Sequence, residues 1–369
     1  MSALSPSAGA FEDGGERAGW ARRALVGALA VSGWRRLLVV LGAYLACLAL
    51  FGLVVGAEHA NPVGVYRSLF ASALTSDGSL GEVVLRAVPV GLAALAVSVP
   101  ARAGLVNVGG EGQLIVGAVA ASGVGVACGA AVPGPLSWLL MGLAGALAGA
   151  VLAGIPAVLR MSTGANEAVT TLLLNFVAND LMLYLIYQPW KDPNGGGQPE
   201  SRALGGSSIL PRLFGSSVNL GLLVALAAAV VVWVALQRSG WGFSLRVVGG
   251  NPEAAHRAGL PVRRLLVTSM LVGGALAGLG GMLNLAGEQL RLLPGGTATY
   301  GYIGFLAAFL GRHQPVKVVG AALLFSAIAI GNNGLQLNYG LDGNVVDALV
   351  ALLVVAPLWL ARSRGEVAA

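Results

Sequence analysis

The chain has 369 residues, of which 56% are hydrophobic and 10% charged, with 56 glycines, two lysines and a formal net charge of +6. With a mean hydropathy of +0.79 it has too little polar surface for a soluble globule, so the composition predicts an all-α polytopic membrane protein. Cys47 lies in an apolar run, Cys128 in a small-residue turn, and His59, His256 and His313 fall in separate segments, so neither a disulfide framework nor a metal site is expected.

In chain order, residues 1–33 carry Glu12, Asp13, Glu16, Arg17, Arg22 and Arg23 among glycines and serines, unlike a secretory signal, and are read as a retained cytoplasmic tail. The stretch RAGWARRALVGALAVSGWRR suits an interfacial amphipathic helix with Trp20 and Trp34 at headgroup depth, or else a disordered tail. Apolar segments able to cross about 30 Å of hydrocarbon follow near 35–56, 83–101, 104–125, 135–159, 166–187, 218–237, 265–286, 299–312, 316–333 and 343–361. That makes about ten transmembrane helices in a domain spanning 34–362, followed by a tail at 363–369. With both termini cytoplasmic, 16 of the 22 basic residues fall inside, as the positive-inside rule requires. Segment 299–312 is short for a span, and the stretch from Pro100 to Gly112 reads as a possible broken or re-entrant helix.

Two loops stand out. Residues 188–217 are rich in Gly, Pro and Ser and are expected outside. Residues 238–264 form the longest cytoplasmic insertion, with Arg238, Arg246, Arg257, Arg263 and Arg264 around a short helix signature. There, after Gly250, Asn251 can cap and Pro252 suits the first helical position. Glu253 favours the positive end of the dipole, and Gly259 then Pro261 stop the helix. About seven residues span only about 10 Å, too short to persist alone, so such a helix needs a seat.

Polar residues interrupt the apolar segments at Asn107, Glu111 and Gln113, and again at Asn166, Glu167, Thr170, Thr171, Asn175, Asn179 and Asp180. Glu167, Thr171 and Asn175 recur every four residues and so share a helix face. That face lines a pathway or satisfies its hydrogen bonds against neighbouring helices, and both readings stand at this point. The runs GLAGALAG and GGALAGLGG pair Gly145 with Gly149 and Gly274 with Gly278, spacings that allow close helix approach within the chain or against a second subunit.

GLVNVGGEGQLIVGAVAA (104–121), GANEAVTTLLLNFVA (164–178), GGNPEAAHRAGL (249–260) and GYIGFLAAFLGRHQPVKVVGAALLF (301–325) occur in one order and spacing. In this the chain resembles the nucleoside and simple-sugar branch of bacterial ABC importer permeases, relatives of the ribose permease. The resemblance covers about 35–361 and implies a type II-like permease bundle in the cytoplasmic (inner) membrane. It also implies a coupling helix formed by Gly250, Asn251, Pro252, Glu253, Ala254, Ala255 and Gly259, seated in a partner ABC ATPase that binds ATP and Mg. The expected partners are that ATPase, a related but non-identical second permease, an extracytoplasmic substrate-binding lipoprotein and the bilayer. No nucleic acid is expected as a partner.

The residues agree with this independently. No GxxxxGK[ST] sequence is present, and Lys191 and Lys317 are the only lysines, so the chain needs no cofactor of its own and draws energy elsewhere. Candidate pathway-lining residues are Asn107, Glu111, Gln113, Asn166, Glu167, Thr171 and Asn175, whose neutral members suit a hydroxyl-rich solute. The alternatives are a permease for branched-chain amino acids or another small solute and, more distantly, an ion-coupled secondary transporter, although no inverted repeat is visible. A membrane enzyme would need a catalytic set, and none is apparent.

Overall fold

The computed structural model describes residues 33–339 except 130, 196, 214–216 and 298, together with 351–352. The tail up to residue 32 and the terminal tail at 363–369 lie outside the described residues, as does the span expected at 343–361 apart from 351–352. The chain divides into two compact units, one comprising residues up to Val63 with those from Asn344, the other Gly64–Gly343. In the first, α1 (Gly33–Ala57) carries Cys47, whose thiol donates to the carbonyl of Leu352 at 3.4 Å.

The second unit contains α2 (Pro62–Leu74, entered from the first), α3 (Ser79–Ala101), α4 (Gly110–Cys128), α5 (Gly134–Thr163), α6 (Glu167–Tyr187) and α7 (Gly221–Arg238). They are followed by α8 (Gly240–Gly250), α9 (Pro252–Arg257), α10 (Val262–Asn284), α11 (Tyr300–Leu310) and α12 (Pro315–Tyr339). A π-turn, Leu285–Gln289, extends α10. Among the described residues there is no strand, only isolated bridges joining Lys191 to Ser201 and Arg212 to Asn219. Among the described residues seven helices are long and apolar enough to cross a membrane, and an eighth span is counted if Leu41–Ala57 and Pro62–Leu74 are taken together.

Two helices escaped the hydropathy reading because they are short and amphipathic. In α2, Asn61 Oδ1 accepts from Val63 N at 3.0 Å, and Val65, Leu69 and Ala73 bury one face at four-residue spacing. In α8, Ser239 Oγ caps Gly242 N at 3.2 Å. Around Pro100 to Gly112, α3 ends at Ala101, and a turn and an extended segment intervene before α4 begins at Gly110, each helix being long enough to span by itself.

The core forms around α10, which packs along α5, α3 and α4. At Gly278 and Gly281 it meets backbone instead of side chains. A Cβ built on Gly278 would stand 2.1 Å from the carbonyl oxygen of Gly145, one on Gly149 would stand 2.2 Å from that of Gly274, and one on Gly281 would stand 2.0 Å from that of Leu114. The two small-residue runs therefore meet each other within this chain. Because a methyl at such a crossing forces the backbones apart, Gly278→Ala is expected to destabilise the chain by about 1–3 kcal/mol. Unfolding of the purified protein in detergent by increasing dodecyl sulfate measures it; a midpoint equal to wild type contradicts the packing.

Candidate functional site

Two regions bring the sequence candidates together. The first is the irregular segment between α3 and α4. A side-chain period of four on a helix advances about 6 Å, and two residues of extended chain advance about 6.6 Å. The stripe on α6 therefore runs in step with residues 106–108, and its last member reaches the first turn of α4. Glu167 Oε1 accepts from Val106 N at 3.1 Å, Thr171 Oγ1 from Val108 N at 3.1 Å, and Asn175 Oδ1 from Gly112 N at 2.8 Å. Asn175 Nδ2 also donates to Val108 O at 3.0 Å and to the Tyr302 hydroxyl at 3.3 Å. Arg160, at the end of α5, pairs with the other oxygen of Glu167.

Asn107 and Gln113 form a reciprocal amide pair, with both N···O distances 3.0 Å, and Asn107 further accepts from Gly109 N and donates to Ala96 O. Glu111 reaches the start of α11, accepting from the Thr297 hydroxyl and, at 2.7 Å, from Gly301 N. A carboxylate there faces the positive end of that helix dipole. Asn107, Glu111, Gln113, Glu167, Thr171 and Asn175 are all buried and hydrogen-bonded within the chain, whereas Asn166 is exposed and caps α6 by accepting from Ala168 N and Val169 N. Of the outlying polar residues, Thr170 and Asn179 are half-buried and Asp180 is exposed. The buried six hold non-helical backbone in place, which an apolar surrounding tolerates only when its polar groups are satisfied.

The second region is α9 with its supports. Asn251 Oδ1 accepts from Glu253 N at 3.1 Å and Ala254 N at 3.0 Å, and Pro252 occupies the first helical position. Leu260 N returns to Ala255 O at 3.1 Å while Gly259 takes φ +83°, a left-handed stop that favours glycine. Gly250, Asn251, Pro252, Glu253, Ala254 and Gly259 are exposed, but Ala255 is fully buried. Its small size thus answers to this chain's own packing, not to an outward contact surface. Glu253 pairs with Arg257 at 2.5 Å, with both side chains about three-quarters exposed (74% and 76%).

Sequence reasoning missed what lies behind α9. A Cβ on Gly249 would stand 2.4 Å from the carbonyl oxygen of Arg102, so α8 presses directly on the turn that ends α3. Arg102 Nη2 donates to the carbonyl of His313 at 2.9 Å, in the turn between α11 and α12, and Arg246 donates to Leu236 O at 2.5 Å. Arg312 and His313 both adopt positive φ, 51° and 54°, a strained pair of non-glycine residues. Only Pro100, near Arg102, and the Gly249–Gly250 pair hinted at this junction; Gly301 and His313 stood in the 301–325 motif without a role, and nothing in the sequence marked Thr297.

Burial, and secondarily the charge of Arg102, push the His313 imidazole down from 6.5 to about 4. Since the unfolded chain then binds more protons between those values, stability is full above pH 6.5 and falls as the pH drops toward 4. His313→Gln is expected to flatten this decline in the detergent-unfolding midpoint; an unchanged pH profile would contradict the assignment.

Among the described residues no group of three His, Cys, Asp or Glu side chains could hold a metal ion. A protein-family model described as "Branched-chain amino acid transport system / permease component" matches residues 79–358. A glucose ABC transporter permease protein of Haloferax volcanii is 39% identical over 322 residues, 84% of each chain. A guanosine ABC transporter permease protein of Bacillus subtilis is 33% identical over 320 residues, covering 86% of this chain and 90% of that one. A nucleoside ABC transporter permease protein of Lactococcus lactis is 30% identical over 329 residues, 87% of this chain and 90% of its own. The chain therefore belongs to this permease family and is a transmembrane permease subunit of an ABC importer, a multi-pass protein of the cytoplasmic membrane.

Proposed function

We propose that the chain forms one half of a pathway for a neutral, hydroxylated solute, a nucleoside or a simple sugar, and that a separate ATPase drives it through α9. The observation that carries the coupling role is α9 itself: a six-residue helix capped at both ends, exposed except at Ala255, ending on exposed Arg257 and flanked in the chain by exposed Arg238, Arg246, Arg263 and Arg264. A rigid body of this kind can transmit a partner's two states because its support, Gly249, bears on the turn at Arg102 and so on the α11–α12 turn. ATP and Mg belong to that partner, and no cofactor is assigned to this chain.

The three relatives named above support the solute class, whereas the family's description leaves branched-chain amino acids as the second reading. Haloferax volcanii and Bacillus subtilis each contain a second matching permease, which supports pairing with a related, non-identical chain. An external binding lipoprotein completes the assembly. We assign ten spans within 34–362, both termini and 238–264 to the cytoplasm, and 188–217 to the outside. Asn107, Glu111, Gln113, Glu167, Thr171 and Asn175 are assigned to the pathway wall as supports behind its surface, with Asn166 at the exposed cap of α6.

Deleting the gene in its host should abolish uptake of labelled guanosine or glucose and leave leucine uptake intact. Loss of leucine uptake alone would overturn the solute class. In a background lacking Cys47 and Cys128, Arg257→Cys should resist an impermeant maleimide added to intact cells; its labelling from outside would overturn the topology.

A further inference from the structure

A cavity of about 250 Å³ opens at the far end of α4 from the α6 clasp, lined by Ser122, Gly123, Val126, Trp190, Ser201 and Arg202 among others. At ~30 Å³ per water it holds about eight waters, space for a single sugar or nucleoside ring system. We propose that this cavity is an entry subsite that receives the solute's ring on the indole of Trp190 and one of its hydroxyls at Ser122. This rests on the reading that the solute is a neutral hydroxylated ring and that 188–217 faces outward.

Three observations carry the assignment. Ser122 is 1% exposed, lines the cavity, and its hydroxyl has no hydrogen-bond partner among the described residues. A buried hydroxyl left unmet is costly, and a ligand hydroxyl would meet it once a turn about the Cα–Cβ bond of Ser122 brings its oxygen, now covered, to the cavity. Trp190 rests the edge of its indole against bare backbone at Gly123, where a Cβ would approach the ring to 3.1 Å. Its amide is fixed, donating to Leu185 O at 2.8 Å.

The walls are equally fixed. Ser201 N donates to Leu292 O at 3.1 Å, Leu292 N donates to Ser201 Oγ at 2.9 Å, and Leu204 N donates to Leu290 O at 2.8 Å. Arg291 pairs with Glu200 at 2.5 Å, whereas Arg202 is exposed at the rim and makes no ion pair among the described residues. An aromatic face accepts either a nucleobase or the C–H face of a pyranose, and both solutes share ring hydroxyls for Ser122. Such a site must bind weakly, because a pathway has to release what it accepts.

The test uses the full chain in lipid nanodiscs and saturation-transfer NMR, with guanosine and glucose as separate probes. Ring protons of at least one probe should receive saturation, and which one does distinguishes base stacking from pyranose stacking. Trp190→Ala should weaken that binding by about tenfold or more. Val126→Trp, at a position that is 37% exposed and so tolerant of bulk, should fill the cavity with the same result, and it decides the matter if Trp190→Ala fails to fold.

Neither probe binding, or equal binding by the folded variants, overturns the proposal. So does a result in which both variants keep solute binding and lose only recruitment of an external binding protein, since the cavity then seats a protein loop. Uptake in the gene-deletion strain is read separately. Chain-dependent uptake of a probe with no effect of these variants defeats this subsite alone, whereas no chain-dependent uptake of either probe defeats the solute class.

Discussion

Asn175→Leu is expected to abolish folded protein instead of slowing transport at equal protein level. The amide of Asn175 meets Gly112 N, Val108 O and the Tyr302 hydroxyl, so leucine strands three partners in a buried place. Each costs about 1–3 kcal/mol when left unmet, and the two backbone groups alone put the loss at about 2–6 kcal/mol. That is a large fraction of the ~5–15 kcal/mol that holds a typical domain together. Asn175→Asp, which keeps the acceptor for Gly112 and loses the donor, should fall between. Size-exclusion recovery of the membrane-extracted chain measures the effect. A monodisperse Asn175→Leu protein at wild-type yield, deficient only in uptake, would show that the residue acts on the solute and not on the fold.

Ala255→Trp should sever hydrolysis from uptake while the membrane helices still insert. Insertion depends on apolar length, and α9 lies outside those lengths. Ala255 is fully buried, so an indole there must push α9 off its seat; overpacking of this kind commonly costs about 1–3 kcal/mol, enough to lose a defined position for a six-residue helix. Gly249→Val should act similarly by lifting α8 from the Arg102 carbonyl. Glu253→Ala, in contrast, removes an exposed pair worth up to about 1 kcal/mol and should leave coupling within twofold of wild type. Solute-stimulated ATP hydrolysis in proteoliposomes containing the whole complex is the measurement. Normal coupling in Ala255→Trp would move the docking site elsewhere.

What was legible in the sequence divides along a physical line. Local rules wrote α9 almost residue by residue, because Asn251, Pro252 and Gly259 act on backbone within a turn of themselves. The face of Glu167, Thr171 and Asn175 followed from helix periodicity, and the break after Ala101 from the clustering of Pro100 and glycines. The partners of that face did not follow. Whether an amide meets a solute or the backbone of residue 112 depends on which segment lies alongside, a long-range matter that spacing does not encode. The same limit hid the approach of Gly249 to Arg102 and of Glu111 to Gly301. Hydropathy found the long helices and passed over α2 and α8, which at 13 and 11 residues are too short to stand out as spans.

Glu111 ends one irregular stretch and begins the helix beyond the other. Its helix opens where 102–109 finishes, and its carboxylate takes donors from Thr297 and Gly301 at the close of 290–299. A shift of the first stretch along its axis would carry the cap of α11 with it, and withdrawal of the second would strip the first turn of α4 of its donors. Two helix starts distant in the chain, those of α4 and α11, therefore meet at one buried carboxylate, and a change at Glu111 reaches both at once.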